Sequence, residues 1–367
     1  MSFRSSLLKT IDALLGPIVC GLLSRSQRKA EHRHAGDVDG AILLIRPGGI
    51  GDAILLLPTL KALRTAFPER QIDVLCESRN CEILKLAAPD TRTVAYDASP
   101  ITALRMLRRT SYAVVLDTEQ FHNFSAVMTA LTRAPLRIGF KINTHRRGLY
   151  THLVSYDLDG PEDVQFGRLL NAAFGHEVQL PSRLGIIPVA ALPDLPKEFC
   201  PTSPFLVLHA GGSISPKRVP ETILADACQS VAASTGLAIV IIGSSADTAY
   251  AATLTEMIGG LVSNLCGRLS LAQTATLCHK ANLLVGPDSG IAHLAVAVGT
   301  LTVAIFGPSD PAKWGPPQSC GEAVSISLPC SPCSIFGYTK PCTNYECMAG
   351  ITSEQIVTAI LSTVARD

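Results

Sequence analysis

From Ala41 onward, short runs of β-branched and aliphatic residues alternate with longer segments whose apolar positions recur every three or four residues. That is the signature of βαβ units stacked on a parallel sheet. The first half predicts strands at AILLIR (41–46), QIDVLC (71–76), TRTVAY (91–96), YAVVLD (112–117) and LRIGF (136–140), and a closing helix from Glu162 to Phe174. Between 181 and 204, Pro181, Pro188, Pro193, Pro196, Pro201 and Pro204 exclude regular structure and mark a linker. The pattern then restarts with FLVLHA (205–210), AIVIIG (238–243), LLVG (283–286) and TVAIFG (302–307). The expectation is an α/β protein of two doubly wound, Rossmann-like domains, 41–180 and 205–350, facing a central cleft, with a C-terminal helix over 351–367. In such sheets ligands bind beyond the carboxyl ends of the strands, so the loops after each strand carry the candidate chemistry.

Residues 1–30 read as a separate amphipathic helix. Phe3, Leu7, Ile11, Leu14, Ile18 and Leu22 fall on one helical stripe, Leu8, Leu15, Val19 and Leu23 widen it, and Arg4, Lys9, Arg25, Arg28 and Lys29 surround it. Such a basic helix suits a membrane interface; the plainer reading is a helix docked on the protein's own surface. The apolar run from Ala13 to Leu23 is interrupted by Gly16-Pro17 and is too short to span a bilayer. It lacks a small-x-small cleavage site, which argues against a signal peptide.

At 47% hydrophobic and 17% charged, with a mean hydropathy of +0.30, the chain is too apolar to be disordered. Its 31 basic and 30 acidic side chains leave no general attraction for nucleic acid. The excess of positive charge lies in residues 1–180, which hold 22 basic and 18 acidic side chains. Twelve cysteines are too few for a disulfide scaffold, and a reducing cytoplasm fits them best. Cys330, Cys333, Cys342 and Cys347 follow a C-x2-C-x8-C-x4-C spacing able to hold a structural zinc. Pro329, Pro332 and Pro341 make a reduced loop at least as good a reading, so no metal is assigned.

Three loops stand out. RPGGIGD follows the first strand, with Gly48, Gly49 and Gly51 allowing a tight turn and close backbone approach. It matches neither a Walker loop nor the GxGxxG fingerprint. Asp52, where a helix starts, is either an N-cap or a carboxylate able to take a proton from a substrate hydroxyl. In HAGGSISPKRVP, Gly211 and Gly212 open the loop, and Lys217 and Arg218 are either solvated charges or within reach of a phosphate. In LLVGPDSGIAHL, Ser289 and Gly290 lie at a helix start that favours an anion, with Asp288 before them and His293 on the first turn. Asp288 read plainly is a cap, and His293 a packed core histidine.

RPGGIGDAILLLPTLKAL, LHAGGSISPKRVP, IIGSSAD, the block from NLCGRLS through VGPDSGIAHLAVAVG to FGPSDPAKWG, and the Cys-rich C-terminal segment together resemble glycosyltransferase family 9, the ADP-heptose:lipopolysaccharide heptosyltransferases. The resemblance runs in order over about residues 41–360. It implies a GT-B fold and a metal-independent, inverting transfer from a nucleotide-activated sugar at the cytoplasmic face of the inner membrane, with no cofactor. By motif it implies Asp52 as general base, Lys217 on the donor phosphates, and Gly211, Gly212, Asp288, Ser289, Gly290 and His293 around the donor. Asp247, in IIGSSAD, falls near an acidic position for the donor nucleoside.

Arg105, Arg108, Arg109, Arg133, Arg137, Lys141, Arg146 and Arg147 crowd one stretch of the half assigned to the acceptor. They suit an acidic, lipid-linked saccharide as well as they suit a solvated basic face. Gly49, Gly51, Arg146 and Arg147 are the candidate acceptor contacts. Asp37-Val38-Asp39 and Asp157-Leu158-Asp159 mimic a metal-binding DxD, yet each adjoins Gly in a turn-like stretch. The expected function is transfer of a sugar, heptose from ADP-heptose, to a lipopolysaccharide-type acceptor by a peripheral membrane enzyme. The alternatives are another donor or acceptor on the same scaffold, or a non-catalytic module that binds a nucleotide sugar or lipid saccharide.

Overall fold

The structure, a computed structural model, describes residues 3–25, 33–212, 217–335, 338–340 and 342–365. The chain forms two compact units, Met1–Pro181 and Ser182–Asp367.

The first unit is a parallel sheet of six strands: β1 (Ala41–Arg46), β2 (Ile72–Cys76), β3 (Arg92–Ala95), β4 (Tyr112–Asp117), β5 (Leu136–Phe140) and β6 (His152–Val154). Their order is β3-β2-β1-β4-β5-β6. In register, Ile42 lies between Ile72 and Val114, and Leu44 between Val74 and Leu116. Every residue of β1, β2, β4 and β5 is buried, as expected of strands covered by helices on both faces. The helices are α1 (Phe3–Ser24), α2 (Ile50–Ala66), α3 (Ser78–Ala87), α4 (Pro100–Arg109), α5 (Asn123–Leu131) and α6 (Glu162–Phe174). Strand order reverses between β1 and β4, so the loops that follow these two strands flank the switch point where such sheets bind ligands.

Helix α1 continues through Gly16-Pro17 and docks on α5 by a narrow polar and small face. Asp12 accepts hydrogen bonds from the backbone N–H of Asn123 (2.9 Å) and Phe124 (2.6 Å), satisfying the first turn of α5. Burial opposes the Asp12 charge, but these bonds and His122 outweigh it and hold the carboxyl below its ordinary value. A Cβ at position 16 would stand 2.5 Å from Asn123 Cβ, so only glycine lets the helices approach this closely. Cys20 is buried with Ala126, Ala130, Leu149 and Tyr150. The apolar stripe faces the other way: Ile11, Leu14, Leu15, Ile18 and Leu22 are 44 to 69% exposed. The helix is thus docked and still presents its apolar face outward. The side chains of Phe3, Arg4, Leu7, Leu8 and Lys9, and residues Arg28 and Lys29, lie outside the described residues.

The second unit repeats the topology with β7 (Phe205–His209), β8 (Ala238–Ile242), β9 (Val262–Asn264), β10 (Leu283–Pro287), β11 (Thr302–Ile305) and β12 (Gly321–Val324), ordered β12-β11-β10-β7-β8-β9. Its helices are α7 (Glu221–Thr235), α8 (Thr248–Ile258), α9 (Leu271–Lys280), α10 (Gly290–Ala297), α11 (Pro311–Trp314), α12 (Glu346–Ala349) and α13 (Ser353–Val364). Leu206, Leu208, Ile239, Ile241, Val285 and Ile305 pack against Leu224 and Val231 of α7 and Ile356 and Ile360 of α13. The order reverses between β7 and β10, which places the switch point at His209 and Asp288.

The Pro-rich segment belongs to this second unit. Gly185 and Ile187 donate to the carbonyls of Val296 and Ala297 (3.0 and 2.9 Å), and Thr276 Oγ1 donates to Pro193 O (2.7 Å). Proline excludes a strand or long helix here, and two three-residue turns, Val189–Ala191 and Lys197–Phe199, are what remains. β6, β9 and β12 were not expected from the sequence, because edge strands of three or four residues with half-exposed side chains carry little apolar pattern.

Candidate active site

In the first unit the loop after β1 turns at Gly48, whose φ of +119° is open to glycine but strained for other residues. A Cβ there would also meet Asp52 Oδ2 at 2.6 Å. Gly49 is the N-cap of α2, Gly51 follows within its first turn, and Asp52 is the third helical residue. Asp52 is therefore not the N-cap that the plain reading expected. It reaches back so that Oδ2 accepts the Gly49 N–H at 2.7 Å, while Oδ1 is paired with Arg46. Arg46, the last residue of β1, is almost fully buried and also donates to Thr118 O at 2.8 Å. Burial opposes its charge, and the attraction of Asp52, Glu162 and Glu119 overcomes that and holds its pKa above the ordinary value. Asp52 keeps 27% of its side chain exposed. The result is an oriented carboxylate, fixed by one backbone N–H and one guanidinium, with lone pairs still open to a hydroxyl.

Below it lies a polar network that sequence reasoning missed. Glu119 Oε1 accepts from the N–H groups of Gln120, Phe121 and His122 (2.9 to 3.2 Å), and Gln120 donates to Glu162 (2.5 Å). Arg146 belongs to this network, which corrects its assignment to the acceptor. It is fully buried and donates to Asp117 (2.7 Å), Glu119 O (2.7 Å), Ser125 (3.1 Å) and Tyr150 (2.5 Å), so its guanidinium holds the loop after β4 and presents nothing to solvent. Arg137 is likewise buried, on the carbonyls of Leu149 and Ala134. Arg147 is half-buried beside Lys141 O, and Arg105 and Arg108 stay exposed on α4. Asp37-Val38-Asp39 and Asp157-Leu158-Asp159 sit in short turns, where Asp37 accepts the His34 N–H and Asp157 the Asp159 N–H.

In the second unit the expected residues converge. Lys217 Nζ lies 2.5 Å from Asp288 Oδ2 and 3.4 Å from Asp288 O. Ser289 caps α10, its hydroxyl accepting the Ala292 N–H, and Gly290 opens the first turn, whose amides have no carbonyl partner within the helix. A cation and a helix N-terminus therefore meet at one point, an arrangement suited to a phosphate. Asp247 closes the turn after β8, accepting from Ser244 N (2.9 Å), Ser244 Oγ (2.6 Å) and Arg218 (2.5 Å). Gly211 lies against it, since a Cβ there would stand 2.7 Å from Asp247 Oδ2; Gly212 follows, half-buried. His293 is buried with Asp288, Phe306 and Trp314 around a small cavity.

The C-terminal cysteines share one neighbourhood. The N–H groups of Cys333 and Ser334 bond to Pro308 O (2.8 and 2.7 Å), and Cys347 Sγ would be 3.1 Å from a Cβ on Gly307. Burial pushes the Cys347 thiol up, with Cys333, Cys330 and Cys342 adding to the effect. Among the described residues no group of three or more His, Cys, Asp or Glu is arranged to hold a metal ion, and Pro341 lies outside them.

Two parallel sheets of identical strand order, each with its own switch point, define an α/β protein of two doubly wound domains, the GT-B type of fold. The chain belongs to glycosyltransferase family 9 (heptosyltransferase), whose sequence profile matches residues 101–345. It is 25% identical over 313 residues to lipooligosaccharide heptosyltransferase 2 of Haemophilus influenzae, covering 78% of this chain and 88% of that one. The fold is shared with a family 9 glycosyl transferase from Veillonella parvula (TM-score 0.73, 18% identity, 92% of this chain and 100% of that one). It is shared too with the Escherichia coli heptosyltransferase WaaC solved with ADP (TM-score 0.68, 17% identity, 89% and 98%).

Proposed function

We propose that this glycosyltransferase moves heptose from ADP-heptose to an acidic, lipid-linked saccharide of the lipopolysaccharide core, inverting the anomeric centre without a metal. The observation that carries the reading is Lys217 held on Asp288 at the N-terminus of α10. Cation and helix amides together meet the charge that develops on a departing diphosphate, the role a divalent ion fills elsewhere. The name of the Haemophilus relative supplies the heptose and a lipooligosaccharide, the class of lipid-linked saccharide to which a lipopolysaccharide core belongs, and the ADP in WaaC supplies the nucleotide.

On the acceptor side Asp52 takes the proton of the attacking hydroxyl as the acceptor oxygen bonds to the anomeric carbon. The bond from that carbon to the diphosphate breaks, and ADP leaves with its electron pair toward Lys217. One displacement with one base inverts the configuration. Arg46 and Gly49 N–H fix the direction of the Asp52 carboxylate, Gly49 and Gly51 keep the backbone open beside it, and Arg147 remains as a cation for an acidic acceptor.

No helix among the described residues is long and apolar enough to cross a membrane. The outward stripe of α1, with Arg25 at its end, supports peripheral attachment to the inner face of the inner membrane. The test is transfer from ADP-heptose to heptose-deficient lipopolysaccharide in excess EDTA, with the product anomer read by NMR. Inverted product formed at an undiminished rate is expected. Retention, or activity that returns only with Mg²⁺ or Mn²⁺, overturns the mechanism, and tight ADP-heptose binding without any transfer favours the binding module.

A further inference from the structure

His209 ends β7 at the switch point of the second unit and takes no part in the reaction described above. Its ring is buried and clamped. A Cβ at Gly286 would come within 2.7 Å of His209 Cβ, and one at Gly211 within 3.1 Å of its Nε2. The same position on Gly211 is 2.7 Å from Asp247 Oδ2, which sets the Asp247 carboxylate in the neighbourhood of the Nε2 edge of the ring. The other nitrogen, Nδ1, is 3.2 Å from Ser289 Oγ.

The protonation of this ring follows from its surroundings. Burial pushes the His209 pKa down to about 4 against the pull of Asp247, so near neutral pH the ring carries one proton. The carboxylate side favours that proton on Nε2, which leaves Nδ1 as an acceptor. Ser289 Oγ then donates to Nδ1 while accepting the Ala292 N–H at 3.4 Å. Both roles of the hydroxyl are filled within the protein, and the first turn of α10 is pinned to β7.

We propose that His209 is a positioning residue of the donor site: as the Nε2–H tautomer it holds the Ser289 hydroxyl, fixing the phosphate-facing turn of α10 relative to Asp247 and the nucleoside side of the site. This rests on the donor-site reading. It assigns Ser289 to the protein side of the site, so that backbone N–H groups, not the hydroxyl, meet the diphosphate.

The variants His209→Asn and His209→Gln separate positioning from packing, because both are polar and of similar bulk. The Asn side-chain oxygen falls near the place of Nδ1 and can still accept from Ser289, whereas the Gln amide falls near Nε2 and cannot. Calorimetric titration with ADP is expected to show H209N within about threefold of the parent and H209Q about tenfold weaker, the usual weight of one hydrogen bond. Ser289→Ala should weaken ADP at least as much as H209Q, since it also removes the cap on the Ala292 N–H, and the double variant S289A with H209Q no further than S289A, because the Ser289–His209 bond is already lost. The ¹⁵N shifts of the parent imidazole should report a bare Nδ1 and a protonated Nε2. Additive losses, equal weakening by Asn and Gln, a protonated Nδ1, or lower melting temperatures at unchanged ADP affinity would each overturn the proposal. A parent that shows the expected tautomer yet binds no ADP overturns the donor-site reading and leaves the His209–Ser289 clamp standing.

Discussion

Asp52→Asn tests chemistry and structure at once, and the geometry separates the two. An asparagine oxygen at this place still accepts the Gly49 N–H, so the helix start survives. The ion pair with Arg46 does not. Losing one member of a fully buried pair costs about 3 to 5 kcal/mol. Here the Asp52 side chain is 27% exposed, and Arg46 keeps Thr118 O and the attraction of Glu162 and Glu119. The expected destabilisation is therefore that of a lost charge-assisted hydrogen bond, about 1.5 to 3 kcal/mol. For a unit of this size that lowers the melting temperature by roughly 3 to 12 °C. Loss of the base should cut turnover about 100-fold or more. Initial rates at 15 °C, with saturating ADP-heptose and acceptor, keep the variant folded while the chemistry is read. Asn80→Ala is the control: Asn80 donates to Arg46 O at 3.1 Å and is buried, so its loss loosens the same corner without touching Asp52. A D52N enzyme within tenfold of the parent refutes the base. An N80A enzyme as slow as D52N refutes the separation of chemistry from structure.

Lys217→Ala should weaken ADP about 10- to 150-fold, the weight of a charge-assisted hydrogen bond, while adenosine binding hardly changes; equal affinities for ADP would place the diphosphate elsewhere. Leu14→Asp together with Ile18→Asp, at positions 69 and 60% exposed, should lower partitioning onto anionic phospholipid vesicles at least tenfold with the melting temperature nearly unchanged; unaltered partitioning removes α1 from the membrane contact. His209 is held neutral, with a pKa of about 4 against 6.5 ordinarily, so the native state resists protons that the unfolded chain accepts. Stability from this source is full above pH 6.5 and declines as pH falls toward 4, by on the order of 3 kcal/mol, and H209N, which does not titrate, should lose that part of the slope in urea unfolding measured between pH 4 and 7. Parallel pH profiles for the two proteins would show that the fold does not lower the His209 pKa below its ordinary value.

The parts of the site that were legible in the sequence are those whose cause is local. Gly48, Gly49 and Gly51 at the start of an apolar helix, and Ser289 and Gly290 at the start of another, announce backbone geometry that depends on the next few residues alone. Arg46, Asp117 and His209 also had a local signal. Each closes an otherwise apolar run, AILLIR, YAVVLD and FLVLH, at the end of a strand buried on both faces, where a polar side chain adds nothing to the core and needs a partner at the switch point. Arg146 had none. Its burial is decided by Asp117, 29 residues earlier, and by Ser125 and Tyr150, and a row of basic residues looks equally solvated whether or not such partners exist. Helix α1 fails for a related reason. Periodicity locates its apolar stripe but not the face that docks, because that choice rests on Gly16 fitting against Asn123 and Asp12 finding the open amides of α5, contacts more than a hundred residues apart. A polar or small face can win a docking site whenever it satisfies buried donors that an apolar face would leave unpaired, at about 1 to 3 kcal/mol each. Among the described residues the apolar stripe is then left outward, which is why vesicle partitioning, and not stability, is the measurement that reads it.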